Sequence, residues 1–204
     1  KSIIDKDSSN VKAYLYLGQV IREGGNSKKA LEIHKNLIHR QNLNNYDKIQ
    51  LYKNLSLDYY NLDNNNKSIE YAKSILDLEG FNEWSLKHLI KLCKESNDWV
   101  NATEYLKILL KVKNITDNEK LALYKIQIGR IHLKNNEFEL SRSFFEEAME
   151  LASYLNIGYF FIGNAFAEES NVIYDNSVQL DEDLNSSLEK NEESQKMKLE
   201  AENI

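Results

Sequence analysis

The chain has 204 residues, 42% hydrophobic and 28% charged, with a formal net charge of −6, one cysteine and no proline. That length can bury a real core, as one domain or as a repeat array. A lone cysteine excludes an internal disulfide and a cysteine-built zinc or rubredoxin-type site, no stretch approaches the ~20 apolar residues of a membrane span, and the acidic balance disfavours nucleic acid as a bulk electrostatic partner. The charge is unevenly placed. Residues 181–204 hold eight acids and three lysines, so the rest of the chain is nearly neutral. Without proline, helix can follow helix with no enforced break.

The first helix is expected from about residue 11, with Ser8 or Ser9 as its N-cap. It carries Gly18 in its interior, where glycine costs about 1 kcal/mol relative to alanine. A polar turn, REGGNSKKA, leads into a second apolar run that contains Ala30. This order recurs. Tyr14, Leu17, Gly18, Ile21, Ala30, His34 and Leu37 align with Tyr52, Leu55, Ser56, Tyr59, Ser68, Ala72 and Ile75. They align again with Leu86, Leu89, Ile90, Cys93, Ala102, Leu106 and Leu109, and with Lys125, Ile128, Gly129, His132, Ser141, Phe145 and Ala148. A fifth unit opens at Tyr159, Ile162, Gly163 and Phe166. The starting positions stand 38, 34, 39 and 34 residues apart. Thr116 with Glu119 offers a capping box for the fourth unit.

This pattern resembles the tetratricopeptide repeat, a helix-turn-helix unit of 34 residues with a small residue where its helices cross. The resemblance implies an all-α fold, a right-handed superhelix of repeats. The units are expected at about 11–45, 49–80, 83–113, 119–155 and from 156 to 170 onward. A C-terminal capping helix is expected over 171–188, and an acidic tail, solvated helix or disordered, over 189–204. Gly18, Gly129 and Gly163 then read as places of close helix approach and not as phosphate cradles, since none opens a helix after a strand.

Three stretches, IHKNLIHRQNL (33–43), LSLDYYNLDNNNKSIEYAKSIL (55–76) and LKHLIKLCKESNDWVNATEYLKIL, starting at Leu86, are similar to the opening repeats of the lipopolysaccharide assembly protein B family. Ile33-His34 with Asn36-Leu37, Asp58-Tyr59, and Asn97-Asp98-Trp99 with Ala102 carry the likeness. The resemblance implies a bacterial, non-enzymatic adaptor held by an N-terminal membrane helix, facing the cytoplasm, and binding a membrane protease and its envelope-biosynthesis client. It also implies a C-terminal rubredoxin-like metal domain of paired CxxC motifs. This sequence has no CxxC, so that domain is not expected here, and a membrane tether would lie outside these residues.

No catalytic constellation, metal site or cofactor motif is found. His34 and His132 fall on packing positions, Cys93 on an apolar one, and no G-x-S-x-G motif occurs. The expected site is a surface. In such repeats the first helix of each unit lines the concave groove. Its outward positions include Arg22, Lys53, Lys87, Lys91 and Arg130, a basic stripe, with Tyr60, Trp84 and Phe160 as aromatic anchors and Ile126 beside them. A peptide or protein of acidic character would suit this groove. The expected function is an interaction scaffold in envelope assembly or proteolytic regulation, in the cytoplasm at the inner face of the membrane, with the periplasm as the alternative. The alternative is the regulatory repeat region of an enzyme, such as a glycosyltransferase, whose catalytic part lies outside these residues.

Overall fold

A computed structural model describes residues 10–40 and 43–202, with side chains of the last helix described through Leu180. Among the described residues the chain forms nine helices and no strand. They are α1 (Val11–Glu23), α2 (Ser27–Ile38), α3 (Asn45–Tyr60), α4 (Asn65–Glu79), α5 (Glu83–Glu95), α6 (Trp99–Lys113), α7 (Asn118–Lys134), α8 (Phe138–Leu151) and α9 (Ile157–Glu202). Two compact units result, one ending at Asp117 and one beginning at Asn118. In the first, α1 packs on α2, α3 on α4 and α5 on α6, while α2 touches α3, α4 touches α5 and α1 touches α3. In the second, α7 packs on α8 and α8 on α9.

The repeat is written most clearly in its turns. Gly25, Asp63, Asn97 and Asn136 adopt positive φ of 88°, 56°, 58° and 62°. Glycine meets no steric penalty there, and short Asn and Asp side chains tolerate the left-handed region. The next residue in each case sends its N–H back to a carbonyl five residues earlier. Asn26 bonds Ile21 at 3.0 Å, Asn64 bonds Tyr59 at 2.9 Å, Asp98 bonds Cys93 at 2.8 Å and Glu137 bonds His132 at 2.9 Å. The four acceptors are one aligned position of the sequence repeat, and the four turns repeat its steps of 38, 34 and 39 residues.

Asn26, Asn64 and Asp98 then cap the second helices, each accepting a backbone N–H three residues on at 3.1 Å. Such a cap contributes about 1 kcal/mol. Glu137 makes no such bond; its carboxylate instead meets Nδ1 of His132 at 2.5 Å. The cap of α1 is Asn10, bonded to the Ala13 amide at 3.0 Å. Ser8 and Ser9, expected in that role, lie outside the described residues.

The small residues sit where the helices cross. A Cβ placed on Gly18 would enter the imidazole ring of His34, and one on Gly129 would lie 2.5 Å from the ring of Phe145. Gly163 is a correction. It is exposed, and a Cβ there meets nothing within 4 Å. The close approach in α9 is made by Gly158, against Met149 of α8. Beyond it α9 continues as one helix to Glu202, through the stretch expected to divide into a fifth unit and a capping helix. The side chains of the acidic tail lie outside the described residues.

Leu15, Leu37, Leu51 and Leu55 form one core cluster in the first unit. Ala122, Ile126, Leu133, Phe138, Phe145 and Ala148 are the centre of another in the second. Burying one such Leu or Phe contributes roughly 1.5–3 kcal/mol.

Candidate partner-binding face

Helical spacing puts Trp84, Lys87, His88, Lys91 and Glu95 on one side of α5, at steps of three and four residues. On α3 it puts Lys53 and Tyr60 on the side that faces them. The ammonium of Lys53 stands 5.1 Å from the centre of the Trp84 indole. That indole stacks on the His88 ring, with centroids 4.9 Å apart and planes at 19°. Tyr60 meets the same imidazole edge-on at 5.7 Å, and Lys91 lies 4.3 Å over the Tyr60 ring. Five of the eight expected groove residues therefore come together on α3 and α5: Lys53, Tyr60, Trp84, Lys87 and Lys91.

The stripe is less basic than its lysines suggest. Glu83 binds Lys87 and, from α6, Lys113, each at 2.7 Å. These two ammonium groups, Lys113 first, draw the Glu83 carboxyl down to about 2. Glu95 accepts from the Tyr60 hydroxyl at 3.0 Å and lies 3.8 Å from Lys91. The hydrogen bond to Tyr60, with Glu95 adding to it, holds the Lys91 ammonium above its ordinary value. The face alternates cation, ring and anion, and Glu83 and Glu95 were not singled out from the sequence. Their spacing of four residues from Lys87 and Lys91 was the available signal.

Burial, and then the Lys91 charge, push His88 down to about 4 against the opposing pull of Glu95. It is neutral at pH 7, and its ring acts as a platform for Trp84.

Arg22 does not belong to this face. It is 9% exposed and spent inside the unit. Its guanidinium bonds Asp58 at 2.8 Å, the Asn54 side-chain oxygen at 2.9 Å and the Asn54 carbonyl at 3.2 Å. The second oxygen of Asp58 takes Nδ1 of His34, whose Nε2 lies 3.3 Å from the Leu15 carbonyl. Arg22, Asp58 and His34 thus tie α1, α2 and α3 together, and removing one partner would strand a buried charge at a cost of about 3–5 kcal/mol. Ile126, expected to face outward, is 2% exposed and part of the core.

Arg130 and Phe160 belong to the second unit. Arg130 is exposed, bonds Gln127 at 3.1 Å and lies 5.6 Å from the Phe161 ring centre. Phe160 is 68% exposed and meets Phe161 edge-on at 5.4 Å.

Cys93 is 3% exposed, and burial followed by the Asp98 charge pushes its thiol up to about 11. It is no nucleophile at neutral pH. Among the described residues no helix is long and apolar enough to cross a membrane.

No protein-family model matches the chain. Lipopolysaccharide assembly protein B of Escherichia coli is 19% identical over 137 residues, which are 67% of this chain and 35% of that protein. The chain thus spans about a third of the relative's length. Among solved structures, MamA protein is similar with a TM-score of 0.48 and 16% identity over 85% of this chain and 88% of that one. YrrB, described as a TPR protein with an unusual peptide-binding site, gives 0.49 and 12% over 83% of each chain. Four turns of the same backbone form on the sequence period, and small residues at the helix crossings, are this chain's own evidence. They give the chain an arrangement of repeated helical hairpins like that of tetratricopeptide repeats, and over two thirds of its length it is similar to lipopolysaccharide assembly protein B.

Proposed function

We propose that this chain is a non-catalytic interaction scaffold whose α3–α5 face binds a protein or peptide partner. One observation carries this reading: Lys53, Trp84, Tyr60 and Lys91 form a row of rings and cations around the buried His88 imidazole on the α3–α5 face of the first unit. Aromatic anchors held rigid by stacking are what partner surfaces use to bind at low entropic cost. The exposed ion pairs to Glu83 and Glu95 are individually worth about 0–1 kcal/mol. A partner's carboxylates can replace them at little cost, so the preferred partner is acidic with apolar side chains for the indole. The likeness to a lipopolysaccharide assembly protein supports a setting in bacterial envelope assembly.

The test is affinity capture from the native organism with the wild type beside a Lys53→Glu, Lys87→Glu, Lys91→Glu triple variant. Partners on this face are depleted at least tenfold by the variant, about 1.4 kcal/mol. A partner retained at the wild-type level rejects the face.

A further inference from the structure

In the second unit, α9 carries an apolar face that none of the described residues covers. The helix packs on the core of its unit through Gly158, Ile162, Ala165 and Val172. Helical spacing turns Tyr159, Phe166, Ile173 and Leu180 the opposite way, and they are 56–68% exposed. They stand seven residues apart, over about 32 Å of helix. Gly163, Ser170 and Ser177 lie between them on the same side, all exposed. Large and small side chains thus alternate along one line, with the mean spacing of about 3.5 residues that marks a two-helix seam. Phe160 and Tyr174, 68% and 67% exposed, border it.

The line is ready for burial. The charged residues between 157 and 180 are Glu168, Glu169 and Asp175, and none falls on it. Arg142 of α8 bonds Glu169 and lies 4.3 Å over the Phe166 ring, which orders that ring in advance. The Ser177 hydroxyl donates to the Tyr174 carbonyl at 2.7 Å, so covering it strands no proton. Gly163 holds the place where Gly18 and Gly129 each meet a ring from the next helix, and here the space beside it is open.

We infer that this face pairs with the same face of a second copy of the chain, the two α9 helices running antiparallel. In a parallel, in-register pair each residue would meet its own copy, so large side chains crowd and small ones leave gaps. Antiparallel pairing sets Gly163 against Ile173, Ser170 against Phe166 and Ser177 against Tyr159, one large with one small at each level, repeated by the two-fold axis. Serine occupies two of the three small places, so alanine at Gly163 would fit as well. Charge selects the same direction. Residues 181–204 hold eight acids and three lysines; parallel helices would lay two such stretches side by side, and antiparallel helices send them to opposite ends. The area suffices. Six large side chains of roughly 150–250 Å² each, more than half exposed, offer roughly 700 Å² per copy, near the ~800 Å² per partner of a standard interface. This pairing does not rest on the α3–α5 reading.

Sedimentation equilibrium of the full chain between about 1 and 100 µM tests it. A monomer–dimer equilibrium is expected in that range. Ile173→Glu, at an exposed position, should raise the dimer Kd at least about a hundredfold, with the circular dichroism spectrum unchanged. Asp175→Lys, off the line, should leave the Kd within about threefold. Disulfide formation reads the direction, since the native Cys93 is buried. Tyr159→Cys mixed with Ser177→Cys should cross-link, and Tyr159→Cys alone should not. A monomer at every concentration, a dimer that Ile173→Glu leaves intact, no disulfide in the mixture, or a disulfide from Tyr159→Cys alone would each overturn the inference, the last because it requires parallel helices.

Discussion

Ser56 and Ser68 exchange hydrogen bonds where α3 crosses α4: each hydroxyl lies 2.8 Å from the other's backbone carbonyl and donates to it. Both residues are fully buried. This pair closes the second hairpin at the place where the first and fourth use glycine. Nε2 of His88 lies 3.1 Å from the Ser68 hydroxyl. With the Ser68 proton given to Ser56, the neutral imidazole must donate, which assigns it the Nε2–H tautomer. Ser68→Ala should cost about 1–3 kcal/mol, since it strands the imidazole N–H and one carbonyl bond. Ser141, at the aligned position of the fourth hairpin, has a buried hydroxyl with no partner. Ser141→Ala should therefore raise stability, by up to about 1 kcal/mol. Urea unfolding midpoints of the two variants should move in opposite directions.

Two glycines of the same sequence pattern should respond oppositely to alanine. Gly18→Ala pushes a methyl group into the His34 ring, which is itself held by Asp58, and overpacking of this kind costs about 1–3 kcal/mol. Gly163→Ala meets open space within a helix and should gain up to about 1 kcal/mol from helix propensity. Thermal unfolding followed by circular dichroism distinguishes the two.

Stability should fall on the acid side because of His88. An unfolded chain protonates this histidine near pH 6.5, and the folded one resists until about pH 4. The unfolded state binds more protons in that window. Stability is thus full above pH 6.5 and is lost progressively as the pH falls toward 4. His88→Gln should flatten the profile between those values, and Lys91→Met should narrow the window by removing a charge that opposes protonation. Urea midpoints taken at half-unit steps of pH would show both effects.

The thiol of Cys93 should be silent toward a thiol-exchange reagent at pH 8 in the native protein. Burial both hides it and holds it protonated at about 11. Reaction should appear only with unfolding, so the labelling rate in low urea would follow the opening of the α5–α6 hairpin. Rapid labelling of folded protein would contradict the packing described for this position.

The hairpins could be read from the sequence because their determinants are local. A left-handed Asn, Asp or Gly and an apolar stripe repeat within each unit, and in three of the four hairpins a capping Asn or Asp follows directly. Arg22 could not be placed the same way. Its helical position faces outward within its own unit, and the partner that buries it, Asp58, lies 36 residues on. Gly163 failed for a related reason, since a close approach needs a second helix and α9 runs on past it. Lys87 and Lys91 stand out in the sequence as part of a basic stripe, while Glu83 and Glu95, four residues away, pair with them and temper its charge.

The claim that α3 and α5 carry the partner is tested most directly by site-specific photocrosslinking. A benzophenone side chain placed at Lys87 of α5 should yield an adduct with the captured partner, and the same group at exposed Lys73 of α4 should yield none. An adduct from position 73 with none from position 87 would put the partner on the other helices and contradict the account.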